Sequence, residues 1–159
     1  MSQKTLPKSK INPAVRIAPS SIPNAGMGVF ATRDIKKGEV LDEYVGKFLT
    51  PEQYAKKRSH KNYIWELMTP SDEVIAYIDS GNKKYSNWTR FVNTPSKKSE
   101  ANMINIQMNA TSEESKDKNK ATYNPTGTAV FYCAKKDIKK GEELLIWYGE
   151  EYAKYLKLI

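Results

Sequence analysis

Cysteine and histidine are almost missing from this chain of 159 residues: Cys133 and His60 are the only residue of each type. One cysteine excludes a disulfide framework, and it cannot build a four-ligand zinc site. His60 stands in a polar, basic stretch and is expected at the surface, which leaves no histidine for a Ser-His-Asp or Cys-His site. No metal site is therefore predicted, nor any catalysis that needs a histidine base.

Long apolar runs are missing as well. No stretch approaches the ~18 consecutive apolar residues of a membrane-spanning helix, and polar residues rather than a signal-peptide core follow Met1. We therefore expect an intracellular protein that is neither secreted nor membrane-embedded. Residues 1–13 are polar and lysine-rich and predict a mobile basic arm. Residues 14–159 are long enough for one domain with a real core.

Positive charge is abundant by contrast, with 26 Lys and Arg against 18 Asp and Glu and a formal net charge of +8. Such a balance suggests affinity for nucleic acid or anionic surfaces. The lysines are spread along the chain, however, and serve equally well as ordinary solvated surface residues. Direct nucleic-acid binding is therefore an alternative and not the favoured prediction.

Short strands dominate the apolar pattern. Extended segments are predicted at 63–68, 74–78 and 102–108, and turn residues at 69–72 join the first two. Residues 111–126 are rich in charged and turn-forming residues and are interpreted as a long solvated hairpin loop. Many short strands with little helix predict a β-rich domain.

Two short helices are expected. The first begins after Thr50, which can cap it, with Pro51 at the first helical position and Gln53 completing a capping box; it should fade near Arg58. The second spans 150–159, where an apolar stripe recurs at helical spacing. The stripe consists of Tyr152, Tyr155, Leu156 and Ile159.

An internal repetition is visible between 31–41 and 134–144, which share the sequence Asp-Ile-Lys-Lys-Gly-Glu. Strand-like apolar residues flank each copy, and each glycine can supply the positive φ of a tight turn. The repetition is interpreted as shared turn chemistry between strands, without a duplicated function.

Three motifs follow one another in a recognisable order. They are Gly-Met-Gly-Val-Phe at 26–30, Ser-Asn-Trp-Thr-Arg-Phe-Val-Asn at 86–93, and Glu-Glu-Leu-Leu-Ile-Trp-Tyr-Gly at 142–149. Together they resemble the SET domain of protein lysine methyltransferases, in particular its PR/SET (PRDM-like) branch. The resemblance implies a mainly β fold (β+α), a β-clip of several small sheets with few short helices. It also implies a C-terminal pseudo-knot, in which the last segment passes through a loop formed by an earlier one.

A methyl-donor site is expected around the first two motifs. In the run Gly26, Met27 and Gly28, the two glycines carry no side chain and let an adenosine-bearing ligand approach the backbone closely. The missing third glycine and the missing helix pattern exclude a dinucleotide fold. The resemblance identifies the ligand as S-adenosylmethionine and adds further pocket residues. These are Tyr63, Arg90, Asn93 and Thr94, the last standing where most SET enzymes have histidine. On the residues alone, Arg90 could equally be a surface ion-pair residue.

Tyrosines are the expected catalytic residues. Of the ten, most should be half-buried packing residues, but the resemblance singles out Tyr44, Tyr132 and Tyr148. Tyr148 is expected to align the attacking lysine amine, and the other two to shape the channel and limit the number of methyl groups added. Alternation along the strand puts Tyr132 on the face opposite Phe131 and Cys133, so that one face would be core and the other could look into a channel. Without a cysteine-rich zinc module, the helix at 150–159 is the candidate channel lid.

The resemblance implies a protein lysine methyltransferase with a histone tail as substrate, and a nuclear or otherwise intracellular location. The alternative is a catalytically weak or inactive PR/SET module that binds proteins in chromatin. Transfer of a labelled methyl group to histones distinguishes the two.

Overall fold

The computed structural model describes residues 12–57 and 63–148. His60, the predicted terminal helix and all but the end of the predicted arm lie outside the described residues. The described residues contain strands β1 (Val15–Pro19), β2 (Met27–Ala31), β3 (Val40–Glu43), β4 (Lys47–Leu49), β5 (Ile64–Met68), β6 (Val74–Asp79), β7 (Met103–Asn109) and β8 (Thr128–Ala134), and helices α1 (Pro51–Lys56) and α2 (Glu113–Lys116). Three single turns of 3₁₀ helix lie at Lys83–Tyr85, Trp88–Phe91 and Lys98–Glu100.

The predicted fold class is confirmed, because small sheets and few helices make up the described part. β1 and β2 form an antiparallel pair, with Val15 opposite Ala31 and Pro19 opposite Met27. The other two sheets have three strands each, in the orders β4-β6-β5 and β3-β8-β7. The two helices have six and four residues, so neither approaches the length that crosses a bilayer.

Three strands and one helix predicted from local patterns are confirmed. β5, β6 and β7 lie where extended segments are expected, and α1 begins with the predicted capping box. The Thr50 hydroxyl accepts from the Gln53 amide at 3.1 Å, and the Gln53 side chain accepts from the Thr50 amide at 2.8 Å. Two backbone donors at the helix start are thereby satisfied.

The interpretation of 111–126 as a solvated loop is wrong in part, because this segment is packed around its own hydrogen bonds. It contains α2, and the buried Glu43 carboxylate accepts from the amides of Thr111 and Ser112, both at 3.1 Å. The Asn124 amide reaches the Ser115 carbonyl at 2.8 Å. Three polar residues of the segment are buried: Ser115, Thr122 and Asn124. Polar composition predicted exposure here, but these residues pair within the protein.

The described chain divides into two compact units. The first unit contains the described residues up to Asp42, then Phe91–Asn105, and then the described residues from Tyr132 on. The second unit contains Glu43–Arg90, without the gap at 58–62, and Ile106–Phe131. Large buried residues of the first unit are Val29, Ile35, Met103, Ile138, Leu144 and Ile146. Those of the second are Tyr44, Leu67, Ile78, Trp88, Val130 and Phe131.

The two copies of Asp-Ile-Lys-Lys-Gly-Glu pair with each other inside the first unit. Ile35 and Ile138 exchange both backbone hydrogen bonds, at 2.7 and 2.8 Å. The Asp34 carboxylate accepts from the Lys140 amide at 2.9 Å, and the Asp137 carboxylate accepts from the Lys37 amide at 2.8 Å. The repeated sequence thus forms a reciprocal pair of turns, which we call the twin turns.

Candidate functional site

The C-terminal part of the described chain brings the predicted motifs of the first unit together. The Leu144 amide donates to the Val29 carbonyl on β2 at 2.7 Å, and the Ile146 amide donates to the Asn93 carbonyl at 3.0 Å. Met103 on β7 forms a further parallel bridge to Ile146. Three separate stretches of chain therefore hold the segment 143–148, which is the arrangement expected of the predicted pseudo-knot.

Asn93 joins the glycine motif to this segment through its side chain. Its Nδ2 donates to the Met27 carbonyl at 2.9 Å and lies 3.5 Å from Glu143 Oε2. Its backbone carbonyl is occupied by Ile146. The predicted donor-site residues Met27 and Asn93 are therefore in direct contact.

Glu143 is a residue of this cluster that the motifs alone did not single out. Its side chain is buried, and its Oε1 accepts from the amide and hydroxyl of Ser21 at 2.9 and 2.6 Å. Its Oε2 accepts from the Ser20 hydroxyl at 2.7 Å. Hydrogen bonds to a charged group are the strong ones, and they offset the cost of burying this carboxylate. Glu143 therefore fastens the Ser20–Ser21 loop to the segment 143–148.

Glycine at position 28 leaves room for a neighbouring side chain. A Cβ atom built on Gly28 would lie 2.3 Å from Glu143 Oε2 and 3.2 Å from the Ser20 Cβ. The side-chain position at Gly28 is thus taken by the Glu143 carboxylate. At Gly26, where φ is +73°, a Cβ atom would meet no atom within 4 Å. The backbone is therefore open at Gly26 and not at Gly28.

Tyr148 is held at both ends by the segment 92–94. Its amide lies 3.3 Å from the hydroxyl oxygen of the buried Thr94, and its own hydroxyl donates to the Val92 carbonyl at 2.9 Å. A phenol has one proton to donate and two lone pairs that accept. Because this proton points at the Val92 carbonyl, the orientation of the Tyr148 hydroxyl is fixed.

Tyr132 lies on β8 and is completely buried. Phe131 and Cys133 are buried too, so the contrast expected between a core face and an accessible face does not appear in their exposure. Burial also raises the pKa of the Cys133 thiol.

Tyr44, Tyr63 and Arg90 form a cluster of their own in the second unit. The Tyr44 hydroxyl donates to the Tyr63 carbonyl at 2.7 Å, and the Arg90 guanidinium lies 4.3 Å from the centre of the Tyr63 ring. Arg90 is buried, and it donates to the carbonyls of Ser80 at 3.0 Å and Gly81 at 3.3 Å. The alternative of a surface ion-pair residue is wrong, because Arg90 packs inside and binds backbone carbonyls.

The structure thus sorts the predicted site residues into two groups. The first unit holds Gly26, Met27, Gly28, Asn93, Thr94, Tyr132 and Tyr148; the second holds Tyr44, Tyr63 and Arg90. Among the residues that the structure describes, no group of three or more His, Cys, Asp or Glu side chains could hold a metal ion.

Comparison with known proteins gives a consistent picture. The family model described as SET domain matches residues 26–149. Histone-lysine N-methyltransferase set-17 of Caenorhabditis elegans is 32% identical over 151 residues, covering 95% of this chain and 44% of that protein. Human histone-lysine N-methyltransferase PRDM7 is 30% identical over 91% of this chain and 25% of its own length. This chain spans less than half the length of both relatives.

Solved structures with the same fold include the methyltransferase domain of human PR domain-containing protein 2. It superposes with a TM-score of 0.64 at 27% identity, covering 92% of this chain and 86% of that one. A ctPRC2 structure in an autoinhibited conformation, bound to S-adenosylmethionine, has a TM-score of 0.62 at 22% identity and covers 92% of this chain and 17% of that one. The second likeness concerns the fold alone.

Proposed function

Because this chain belongs to the SET-domain family, we propose that it is an S-adenosylmethionine-dependent protein lysine N-methyltransferase that acts on a histone tail. Two relatives at 32% and 30% identity carry the name histone-lysine N-methyltransferase. The observation that carries the proposal is the double attachment of Tyr148 to the segment 92–94. A tyrosine fixed in this way presents its hydroxyl oxygen in one direction.

The residues of the first unit fit a methyl donor at the glycine motif. Gly26 leaves its backbone open, and Asn93 holds Met27 through its carbonyl, which fixes the position of the segment. The Glu143 carboxylate places negative charge beside Gly28, and this charge favours a ligand that carries a sulfonium. When bound, the donor supplies an electrophilic methyl group.

The protein's own task is to deliver a neutral lysine amine in line. A lysine side chain in water has a pKa of about 10.4, and apolar surroundings with a nearby positive charge lower it. No strong base is then needed. The Tyr148 oxygen accepts one N–H of the amine and holds its lone pair toward the methyl group, so that catalysis rests on orientation.

Tyr148→Phe tests this role, because it removes the aligning oxygen and keeps the ring. We expect turnover with core histones and labelled donor to fall by about 10²-fold, while the affinity for S-adenosylmethionine, measured by calorimetry, stays within twofold. Tyr123→Phe is the matched control, since Tyr123 lies outside the cluster and should retain full turnover. Equal turnover in wild type and Tyr148→Phe would reassign Tyr148 to packing.

The alternative, a PR/SET module that binds proteins without catalysis, gives a different result in the same assays. It predicts binding of histone peptides but no transferred methyl group from the wild-type protein. Absence of both donor binding and transfer would overturn the enzyme proposal. The roles of Tyr44, Tyr63, Tyr132 and Arg90 remain predictions, to be tested by the ratio of mono-, di- and trimethylated product in single variants.

A further inference from the structure

A second feature, independent of methyl transfer, lies wholly within the second unit. It is a groove of about 880 Å³ between β4, α1, the end of β6 and the turn that follows β6. We call it the lysine groove, after Lys47, Lys56, Lys57 and Lys83 in its lining. The other lining residues are Leu49, Gln53, Asp79, Gly81 and Asn82.

The charge of this groove is strongly one-sided. Its described lining carries four lysines and one aspartate, which is a net charge of +3 at neutral pH. Asp79 lies 3.2 Å from the Lys57 ammonium, so the single carboxylate is already engaged by one of the four. A cleft lined by one sign of charge focuses the electrostatic potential and raises the local concentration of the opposite ion.

Further positive charge lies beside the groove, where two lysine ammonium groups approach the ring of Tyr85. The Lys47 ammonium lies 5.3 Å from the centre of the Tyr85 ring, and the Lys84 ammonium lies 5.6 Å from it. Each distance is within the range of a cation–π interaction. Two lysines are thus gathered on one aromatic ring at the side of the groove, where they add to the same field.

The chemistry of the lining selects the kind of partner. Small-molecule pockets are lined mainly by apolar side chains with a few polar ones, whereas four of the nine residues in the described lining here are lysines. Lysine acts as a point charge that suits phosphate, while carboxylate recognition favours the planar fork of arginine, which is absent from the described lining. A lysine-rich peptide would be repelled. A chain of regularly spaced phosphates satisfies several ammonium groups at once.

We propose that the lysine groove binds the phosphate backbone of a nucleic acid, without reading its sequence. In the experiment, the affinity for a fluorescein-labelled 20-base-pair DNA duplex is measured by anisotropy at several salt concentrations. We expect log Kd to depend linearly on log salt. The triple variant Lys47→Gln, Lys56→Gln, Lys83→Gln should lower the slope by about 2.7, since each lost phosphate contact removes about 0.9. Affinity at 0.1 M salt should fall by ~10²-fold.

A second triple variant with the same loss of charge is the control. It replaces Lys97, Lys118 and Lys139 by glutamine; these lysines are exposed and do not line the groove. The salt slope should change by less than one third of the change that the groove variant produces. Equal effects of the two triple variants would show that general charge, not the groove, attracts DNA, and would overturn the proposal. Binding of polyglutamate that only the groove variant weakens, with unchanged DNA binding, would assign the groove to acidic peptides and overturn it too.

Discussion

Replacing Gly28 with alanine places a methyl group where the Glu143 carboxylate lies. The new Cβ would be 2.3 Å from Glu143 Oε2 and 3.1 Å from its Cδ. The backbone itself is no obstacle, because φ of Gly28 lies outside the left-handed range in which glycine is favoured. The whole cost therefore comes from the contact with Glu143 and, to a smaller degree, with Ser20.

The loss of stability follows from the steric overlap and from the hydrogen bonds that the Glu143 carboxylate loses when it moves. Overpacking a well-filled site costs about 1–3 kcal/mol, and losing a hydrogen bond to a charged group costs about 1.5–3 kcal/mol. Moving the carboxylate weakens its bonds to the Ser20 hydroxyl and the Ser21 amide. We expect Gly28→Ala to lower the free energy of unfolding by about 3 kcal/mol.

Glu143→Ala removes the group that the methyl would meet. Alone it should cost about 2 kcal/mol, because it removes the hydrogen bonds that Ser20 and Ser21 donate to a charged group. In the double variant the alanine methyl occupies space that the carboxylate has vacated. The double variant should therefore be more stable than the sum of the single effects predicts, by about 2 kcal/mol.

Urea unfolding followed by circular dichroism measures all four proteins of this cycle. Gly26→Ala is the matched control: its φ of +73° makes alanine unfavourable by about 1 kcal/mol, but no atom lies within 4 Å of the new Cβ. Its cost should be the same with and without Glu143. Additive behaviour of Gly28→Ala and Glu143→Ala within about 0.5 kcal/mol would refute the assignment of Gly28 to the Glu143 contact.

Two further predictions concern buried groups. Arg90→Lys should lower the free energy of unfolding by about 2 kcal/mol, since an ammonium cannot replace the guanidinium that donates to the carbonyls of Ser80 and Gly81. The control Arg16→Lys, at an exposed arginine, should stay within about 0.5 kcal/mol of wild type. A similarly small effect at Arg90 would contradict the reasoning. Burial raises the pKa of the Cys133 thiol, so that its thiolate fraction at pH 8 is smaller than that of an ordinary cysteine. Iodoacetamide should therefore label Cys133 ~10²-fold more slowly in the folded protein than in urea. Equal rates would show that the thiol is accessible.

Local rules were sufficient for much of the fold. The capping box of α1 involves residues three positions apart, and its side chains satisfy donors that every helix start exposes. The strands β5 to β7 follow from alternation and turn residues. Family motifs then pointed to Asn93 and Tyr148; in the structure Asn93 contacts Met27 of the glycine motif, and Tyr148 contacts Val92.

Long-range pairing explains what sequence patterns missed. Glu143 meets Ser20 and Ser21 across more than 120 residues, and nothing in the sequence near Glu143 indicates these partners. The same holds for Glu43, which anchors the segment 111–126 by accepting from Ser112. In both cases a buried carboxylate is the acceptor around which a distant loop is organised. Periodicity carries no signal for such contacts.

The twin turns set a condition on the order of folding. Asp34 and Asp137 are more than 100 residues apart in sequence, yet each binds an amide in the other's turn. At ~5–20 residues per second, a ribosome needs on the order of 5–20 s to add the second turn after the first. Residues 43–90 and 106–131 are synthesised within that interval. The second unit is therefore available to fold first, while β2 lacks its pairing with residues 142–144 until the second turn has been synthesised.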